Sequence, residues 1–301
     1  MGAGKRSIIH RGRSAFIRLL SHLPVSDRFY IQARYWLAFG RRPDLVRPQR
    51  FTEKIQWLKL HGYKPGYTRL VDKFAARSYF EQVAGESYLV PLIGVYERAE
   101  DIPFQALPQK FMLKTTHGSG WNIRCNSKDR LDMPRSRRQL NAWLTQNYYA
   151  VGREPVYKDI PPRILCEEML PSPPGGLADY KIFCFSARAR LIQVDLNRFT
   201  HHSRSFYDRD WQRLPFEFAY PAGTEEIPAP SGLGEMVTLA ERLAGEIPFI
   251  RVDFYQVGEK IYIGEMCFYP DNGFYRFQPD EWDQKIGDML NCLGPSQTEP
   301  K

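Results

Sequence analysis

The sequence lacks the features that mark several broad classes of protein. No stretch approaches the roughly 20 uninterrupted apolar residues that a membrane-spanning helix needs, and Arg18 interrupts the best apolar run near the start. We therefore expect neither a transmembrane helix nor a cleaved secretory signal. The five cysteines form no Cys-x-x-Cys pair, which argues against a structural zinc site and favours a reducing, cytoplasmic setting.

Two kinds of catalytic signature are also missing. No Gly-Lys-Ser or Gly-Lys-Thr follows a glycine-rich stretch, so there is no Walker-type phosphate loop, and no arrangement of residues suggests a nucleophilic triad. The 301 residues do contain 43% apolar and 25% charged residues, ordinary values for a globular protein of one large domain or two intimate ones. Aromatic residues make up 14% of the chain, which predicts aromatic-lined clefts.

The positive charge is concentrated at one end of the chain. Residues 1–50 contain eleven Lys and Arg residues against two Asp residues, a net charge of +9, whereas the whole chain carries +8. Such a segment can meet anionic lipid head groups, an acidic polymer or nucleic acid. It can equally be a solvated pair of basic helices.

Hydrophobic spacing predicts helices in the first part of the chain and a mixture of strands and helices after it. The predicted helices cover residues 13–39, 51–60, 70–83, 136–148 and 234–246. The predicted strands cover residues 89–95, 110–115, 122–125, 164–169, 180–185, 191–196, 249–257 and 260–266. This order predicts α+β layers rather than a simple alternating parallel sheet.

The first motif with chemical potential is KTTHGSGW at residues 114–121. An apolar run brings Lys114 to the end of a strand, and a loop of small residues follows. Glycines let backbone N–H groups approach phosphate oxygens, and a lysine on the flanking strand supplies positive charge. Taken alone, the same glycines are equally typical of an ordinary hairpin turn.

The second motif holds two carboxylates, Asp253 in RVDFY at residues 251–255 and Glu265 in YIGEMC at residues 262–267. Two apolar strands joined by a tight turn would place them side by side at one level of a sheet. Such a pair suits Mg²⁺, which takes one or two carboxylates together with phosphate oxygens and water. The alternative is a surface ion pair between Arg251 and Asp253, which the apolar flanks disfavour because unpaired buried charge is costly.

Two further motifs are unremarkable when each is taken alone. RILCEEML at residues 163–170 is an apolar strand that ends in acids, with DYK at 179–181 after a loop, and it is either a hinge beside a nucleotide base or simply a strand end. In DKFAAR at residues 72–77, Lys73 and Arg77 fall four residues apart, so they would share one face of the predicted helix.

Together, these four motifs resemble the ATP-grasp superfamily, and more narrowly the TupA-like ATP-grasp family named for teichuronopeptide synthesis. The narrower resemblance is carried by FTEK at residues 51–54, HGSGW at 117–121, DYK at 179–181 and RVD at 251–253. It implies an α+β ATP-grasp fold in which two α+β subdomains clasp ATP.

The resemblance also implies a division of the chain and roles for its residues. A basic helical segment over 1–65 would precede an ATP-grasp domain over 66–293 with its hinge near 163–170, and a flexible tail would cover 294–301. Lys73 and Lys114 would hold ATP phosphates, Lys114 and Arg251 would act in catalysis, and Asp253 and Glu265 would bind Mg²⁺. The other implied nucleotide-binding residues are His117, Gly118, Ser119, Gly120, Glu167, Glu168, Leu170, Asp179 and Lys181.

The activity that the resemblance implies is ADP-forming carboxylate–amine ligation through an acyl phosphate, in surface-polysaccharide biosynthesis. The expected partners are ATP, an amino acid or other amine, and the carboxylate of an acidic sugar, with peripheral contact of the basic segment with an anionic membrane face as a hypothesis. A kinase or phosphotransferase would use the same ATP site, whereas a glycosyltransferase would not need Lys73 and Lys114. A nucleic-acid-binding module would leave Asp253 and Glu265 unexplained, so no nucleic-acid partner is expected.

One position departs from the pattern. Many ATP-grasp enzymes have Asn two residues after the metal-binding glutamate, where this chain has Cys267. A thiol is a poor ligand for Mg²⁺. The second metal ligand is therefore left between Cys267 and the nearby Asn272.

Overall fold

The computed structural model describes residues 17, 21, 23–173 and 175–292. One or two helices are predicted over 13–39, and the described part of this range contains α1 (Asp27–Phe39). It starts where Ser26 Oγ accepts the Phe29 N–H at 3.3 Å and ends at left-handed Gly40. Most of the earlier part of this range and the predicted tail over 294–301 lie outside the described residues. No helix in the described part of the chain is long and apolar enough to cross a membrane.

Seven more α-helices follow α1 among the described residues. They are α2 (Phe51–His61), α3 (Gly66–Val71), α4 (Ala76–Val83), α5 (Met133–Leu144), α6 (Tyr149–Gly152), α7 (Leu233–Ala244) and α8 (Glu281–Asp288). The buried Asp283 of α8 accepts hydrogen bonds from the backbone N–H and the hydroxyl of Thr52, at 2.8 and 2.7 Å, so α2 is fastened to α8. Helix α2 also contributes Phe51 and Ile55 to the main core, which it shares with residues after position 65. The domain boundary at residue 65 stays a prediction.

The predicted continuous helix over 70–83 is wrong. The chain leaves α3 at Asp72, whose ψ of 111° is extended, and α4 begins only at Ala76. Asp72 Oδ1 accepts the backbone N–H groups of Phe74 at 2.9 Å and Ala75 at 3.2 Å, which offers the backbone an alternative to helical hydrogen bonds. Lys73 therefore lies in a turn and does not share a helical face with residues of α4.

Eleven strands form three sheets in the described residues, and every neighbouring pair is antiparallel. The strands are β1 (Leu92–Tyr96), β2 (Phe111–Thr115), β3 (Asn122–Cys125), β4 (Ile164–Glu168), β5 (Asp179–Phe185), β6 (Arg188–Leu196), β7 (Ser203–Tyr207), β8 (Glu217–Phe218), β9 (Phe249–Val257), β10 (Lys260–Cys267) and β11 (Phe277–Gln278). The strand orders are β1-β4-β2-β3, β10-β9-β5-β6-β7 and β11-β8. The predicted α+β class is confirmed, although β7, β8, β11 and α8 were not predicted.

The five-stranded sheet has one apolar and one polar face. Fully buried side chains such as Ile182, Val252 and Phe254 alternate along its strands with charged ones, because successive side chains point to opposite faces. Helix α7 packs against β5, β6 and β9 with its buried residues, including Met236 and Leu243. The buried charged or amide side chains of the same strands are Asp179, Lys181, Gln193, Asp195, Arg204, Arg251 and Asp253.

The four-stranded sheet has a separate apolar core. Phe111 and Leu113 of β2 are fully buried in that core, together with Leu140 of α5. Met112 and Lys114, which alternate with them along β2, are only partly buried and therefore belong to its other face. The partly exposed face of this sheet and the polar face of the five-stranded sheet border the cavities described below.

Candidate active site

A β-bulge brings two carboxylates into register. The pairing of β10 with β9 shifts between Ile263 and Glu265, so that Glu265 lies directly opposite Asp253. Glycine suits the bulge, because a Cβ on Gly264 would lie 3.2 Å from the carbonyl oxygen of Asp253. The predicted placement of the two carboxylates at one level of a sheet is confirmed.

Asp253 is buried and held by two cations. Arg251 donates to it twice, from Nε to Oδ1 at 2.6 Å and from Nη2 to Oδ2 at 2.7 Å, and Lys181 donates to Oδ2 from the adjacent strand β5. Burial alone would raise the pKa of Asp253, but Arg251 and Lys181 outweigh it and lower that pKa. Asp253 is therefore a carboxylate anion at neutral pH.

Lys181 also pairs with Asp179, two residues earlier on β5. The Lys181 Nζ lies 2.7 Å from Asp179 Oδ2, and Arg198 reaches the same oxygen from the loop after β6. Burial raises the pKa of Asp179 despite these cations, and its Oδ1 has no hydrogen-bond partner in the described structure. Asp179, Lys181 and Asp253 thus form one buried charge network beneath the sheet's polar surface.

The predicted phosphate loop at 114–121 does lie between β2 and β3. Lys114 extends from the end of β2 to Glu167 Oε2 at 2.7 Å, and Arg77 reaches the other Glu167 oxygen at 3.1 Å. Glu167 is buried on β4, while Glu168 is exposed at the end of that strand. One acid is therefore shared by two cations at the mouth of the predicted nucleotide site.

Lys73 reaches this loop from the turn before α4. Its Nζ donates to the carbonyl oxygen of Gly118, and burial lowers its pKa. His117 is buried, its Nε2 lies 3.1 Å from the Trp143 carbonyl oxygen, and burial lowers its pKa. A Cβ on Gly118 would lie 2.4 Å from Trp121, so this close approach requires glycine. Neither of the two cavities described next is lined by Lys73, His117 or Gly118. These three residues therefore lie on the side of the loop that faces away from the cavities.

The first cavity, of about 360 Å³, lies between the two larger sheets. Its walls include the exposed side of the four-stranded sheet, the chain that follows β4, and Tyr255 from the five-stranded sheet. The predicted nucleotide-binding residues that line it are Lys114, Gly120, Glu167, Glu168 and Leu170.

The second cavity, of about 370 Å³, lies over the polar face of the five-stranded sheet. Four of the predicted site residues line it, Ser119, Lys181, Arg251 and Glu265. Arg198 borders both cavities, and Ser119 of this cavity precedes Gly120 of the first. The two cavities therefore adjoin at Arg198 and the loop over 119–120.

Sequence reasoning missed most of the second cavity. Arg204 pairs with Asp195 at 2.7 Å and with Asp271 at 2.9 Å, and five tyrosines add an aromatic wall. Gln193 and Asp195 alternate with apolar residues along β6, a period-two signal that could have placed them on a polar sheet face. The tyrosines are Tyr148, Tyr157, Tyr220, Tyr269 and Tyr275.

Asp253 and Glu265 are the residues predicted to hold a magnesium ion together with nucleotide phosphates. Asp253 Oδ1 accepts one described hydrogen bond and keeps a lone pair, and the Glu265 side chain is 35% exposed. Burial raises the pKa of Cys267 to about 12, so it is a neutral thiol and a poor magnesium ligand. Asn272 Oδ1 is buried close to Gly152. Among the described residues, no group of three or more His, Cys, Asp and Glu side chains is placed to hold a metal.

Comparison with solved structures gives distant likenesses to ATP-grasp proteins. D-alanine–D-alanine ligase from Bacillus anthracis with ATP is 15% identical, with a TM-score of 0.40 over 73% of this chain and 63% of that one. A RimK-domain ATP-grasp protein from Sphaerobacter thermophilus is 13% identical, with a TM-score of 0.41 over 75% and 69%. The ATP-grasp ligase PsnB with its minimal precursor is 12% identical, with a TM-score of 0.43 over 82% and 68%. The chain thus spans less than two thirds of the length of the D-alanine–D-alanine ligase.

Comparison with families of known sequence gives the identity of the chain. No curated protein matches it. The model of the TupA-like ATP-grasp family matches residues 53–291, which is most of the chain and includes every site residue predicted from the sequence. The predicted resemblance is confirmed, and the chain belongs to the TupA-like ATP-grasp family of enzymes.

Proposed function

We propose that this enzyme is an ADP-forming carboxylate–amine ligase that acts in surface-polysaccharide biosynthesis, joining an amino acid to the carboxylate of an acidic sugar. The single observation that carries the proposal is the meeting of the two cavities at Arg198 and the loop over 119–120, above the charged face of the five-stranded sheet. A nucleotide in the first cavity would present its terminal phosphate to a carboxylate in the second. Family membership supports the use of ATP and the ligase chemistry.

The proposed roles follow from the positions of the charged residues. Lys114 lines the nucleotide cavity and would exchange its contact with Glu167 for a phosphate oxygen. Lys73 would hold the loop over the phosphates through Gly118, or bind them directly when the loop closes. Closure of this loop would exclude water, which otherwise hydrolyses an acyl phosphate.

Arg251 would act on the reacting groups. It lines the second cavity, and Asp253 fixes its guanidinium through two hydrogen bonds, so its charge is held in place before the reaction begins. In that position it would stabilise the acyl phosphate and the oxyanion formed when the amine attacks. Mg²⁺ bound by Asp253, Glu265 and the nucleotide would offset the charge that develops during phosphoryl transfer.

The composition of the second cavity supports a sugar as the bearer of the carboxylate. Its five tyrosines offer flat apolar faces and hydroxyl groups, and Arg198 and Arg251 offer positive charge to an anion. A uronic acid combines a ring that can lie against aromatic faces with a carboxylate that can pair with arginine. These are the properties that the cavity would recognise.

Turnover measurements test this function. The enzyme with ATP, Mg²⁺, glucuronate or galacturonate, and a panel of amino acids is expected to release ADP only when both the sugar acid and the amine are present. Mass spectrometry is expected to detect the amide. ADP release without an amine, with a phosphorylated sugar as product, would instead identify a kinase. Stabilisation in a thermal-shift assay by a uridine-diphosphate sugar rather than by ATP and Mg²⁺ would identify a glycosyltransferase.

The basic N-terminal segment is proposed to bring the cytoplasmic enzyme to an acidic glycan or an anionic membrane surface. Three of its arginines already make contacts within the fold. Arg41 and Arg50 form ion pairs with acids of the α8 region, and Arg34 lines the second cavity. Arg28, Arg42 and Arg47 are exposed and remain available.

Sedimentation with lipid vesicles tests this docking. Binding to vesicles that contain an anionic lipid is expected to weaken as salt rises, because exposed charges are screened within about 10 Å at roughly 0.1 M salt. Equal binding to neutral and anionic vesicles, and to neutral and acidic glycans, would contradict it.

A further inference from the structure

Most charged side chains around the second cavity are already paired. Arg251 and Lys181 are held by Asp253, Arg198 is held by Asp179, and Arg204 joins Asp195 and Asp271. Two lining residues differ from this pattern, Glu154 and Arg34.

Glu154 is a buried carboxylate that lines the cavity and accepts no side-chain hydrogen bond from any described residue. Its position is well defined, because it lies between Arg153, which has a left-handed φ of 52°, and Pro155, the first residue of a 3₁₀ turn. The guanidinium of Arg153 packs 4.9 Å from the centre of the Tyr30 ring, which fastens this turn to α1.

The buried amine of Lys59, whose own pKa burial lowers to about 7, does not pair with Glu154. Lys59 of α2 uses its three N–H groups on Gln56 Oε1 at 3.1 Å, the Gly152 carbonyl at 3.0 Å and the Asn272 carbonyl at 2.7 Å. Its charge acts on Glu154 only through space. Burial raises the pKa of Glu154 to about 7, against the opposing effects of Lys59 and Arg34.

Arg34 of α1 supplies the complementary charge. Its Nη1 donates to the Tyr30 hydroxyl and to the Val151 carbonyl, and its guanidinium lies 4.3 Å from the centre of the Phe274 ring. Within the described residues no carboxylate forms an ion pair with it, and its Nε and Nη2 donate to no described acceptor. Among the described residues, the cavity wall therefore carries one carboxylate and one guanidinium that have no ion-pair partner and form no ion pair with each other.

We propose that Glu154 and Arg34 bind the amine substrate as a zwitterionic α-amino acid, its ammonium group on Glu154 and its carboxylate on Arg34, and that Glu154 is the base that frees the amine. This inference rests on the proposed ligase function and names the residues of the same site that would bind its amino acid. Arg251 and Glu265 line the same cavity, so an amine held at Glu154 has the acyl phosphate site within the same enclosure.

The proposed step balances its protons and electrons. The Glu154 carboxylate takes one proton from the ammonium group, and the nitrogen lone pair then forms the C–N bond to the acyl carbon. The bond between that carbon and the phosphate oxygen breaks, and inorganic phosphate leaves with the electron pair. The second nitrogen proton goes to the phosphate, and Glu154 later returns its proton to water. The Glu154 pKa of about 7 lies below the pKa of the ammonium group of a free amino acid, so the proton transfer is uphill and is drawn forward as the C–N bond forms.

The test compares alanine, ethylamine and propionate with the full-length enzyme, ATP, Mg²⁺ and glucuronate or galacturonate. Hydroxylamine serves as a nucleophile that needs no base, so hydroxamate formation reports the acyl phosphate alone. Wild type is expected to use alanine with a KM at least about tenfold below that for ethylamine, and propionate is expected to compete with alanine. Glu154→Gln is expected to lower amide formation by about 10²–10⁴-fold and to leave hydroxamate formation within about twofold.

Further variants separate the two roles. Arg34→Met is expected to raise the alanine KM about tenfold and to leave ethylamine unchanged, because ethylamine has no carboxylate. Glu246→Gln, at an exposed position, is the matched control and is expected to behave as wild type. Glu154→Gln removes a buried charge and is expected to fold, and Glu154→Asp, which keeps the charge at a shorter reach, gives an independent intermediate case.

The possible results distinguish a failure of the roles of Glu154 and Arg34 from a failure of the proposed ligase function. Hydroxamate formation in wild type together with full alanine use by Glu154→Gln overturns the inference and leaves the ligase function standing. Equal use of ethylamine and alanine by wild type overturns the role of Arg34. The absence of both hydroxamate and amide with every probe overturns the proposed function itself.

Discussion

The replacement Lys181→Met probes the buried charge network most severely. Lys181 is 4% exposed and lies between Asp179 and Asp253, whose exposures are 0% and 1%. Removing one partner of a buried ion pair typically costs about 3–5 kcal/mol, because the remaining charge is left unpaired. Arg251 would still neutralise Asp253, and Arg198 would still contact Asp179, so we expect the lower end, about 3 kcal/mol.

Urea unfolding of wild type and variant measures this loss of the free energy of unfolding. Lys285→Met is the matched control, since Lys285 forms an exposed pair with Glu281 at 2.6 Å, worth about 0.3–0.5 kcal/mol. The deficit of Lys181→Met should depend on pH. The pKa of buried Asp179 already lies above its usual value, and losing Lys181 would raise it further, so folding of the variant is penalised as pH rises above the unfolded value of about 3.9.

The deficit is therefore expected to be larger at neutral pH than near pH ~4, where Asp179 is protonated. Losing Lys181 also weakens the stabilisation of the Asp253 anion, which acts in the same direction. Replacing Asp179 by Asn in the Lys181→Met background should recover part of the loss, because it removes the unpaired acid. A deficit under about 1 kcal/mol at neutral pH, similar to the exposed control, would refute this account of the network.

Four further predictions concern the site. Asp253→Asn is expected to lower ATP turnover by about 10²-fold or more while the protein stays folded; near wild-type turnover would contradict its role. Gly118→Ala places a Cβ 2.4 Å from Trp121 and is expected to weaken ATP binding in calorimetry, whereas Gly234→Ala, whose Cβ meets nothing within 4 Å, is expected to leave it unchanged. Amide formation with alanine is expected to rise as pH passes about 7, because Glu154 must be ionised, and this rise should vanish in Glu154→Gln. The pKa of Glu154 is raised chiefly by burial and also by Glu265, and it is lowered by Lys59, Arg34 and Arg251. Iodoacetamide at pH ~8 should label Cys267 far more slowly than a free thiol of pKa about 8.5, because desolvation raises its pKa to about 12, and rapid labelling would contradict this raised pKa.

The parts of the site that lie on regular strands were predictable from the sequence. The period-two alternation around Asp253 and the turn at Gly258 place β9 and β10 as neighbours. Glu265 lies opposite Asp253 only because of the bulge between Ile263 and Glu265, which alternation alone does not predict. Lys114 at the end of β2 and Glu167 on β4 follow in the same way from short apolar runs. Local pattern suffices for Lys114 and Glu167 because strand alternation fixes which side chains share a face.

Other features depend on interactions that no local pattern reports. The break between α3 and α4 comes from the hydrogen bonds of one side chain, Asp72, within a stretch that is otherwise helical in spacing. The two-residue strands β8 and β11 are too short for periodicity to appear. The second cavity collects residues from α1, the turn after α6 and the end of β10, which are far apart in sequence. Glu154 and Arg34 become a pair only through that packing.

Isotope transfer tests the central claim most directly. The enzyme is incubated with ATP, Mg²⁺, alanine and glucuronate or galacturonate whose carboxylate carries heavy oxygen, and the released phosphate is analysed by mass spectrometry. If the carboxylate is activated as an acyl phosphate, each phosphate formed with the amide carries one heavy oxygen atom from the sugar acid. Phosphate that contains only oxygen from ATP and water, or a heavy label that stays wholly with the sugar, would contradict ligation through an acyl phosphate.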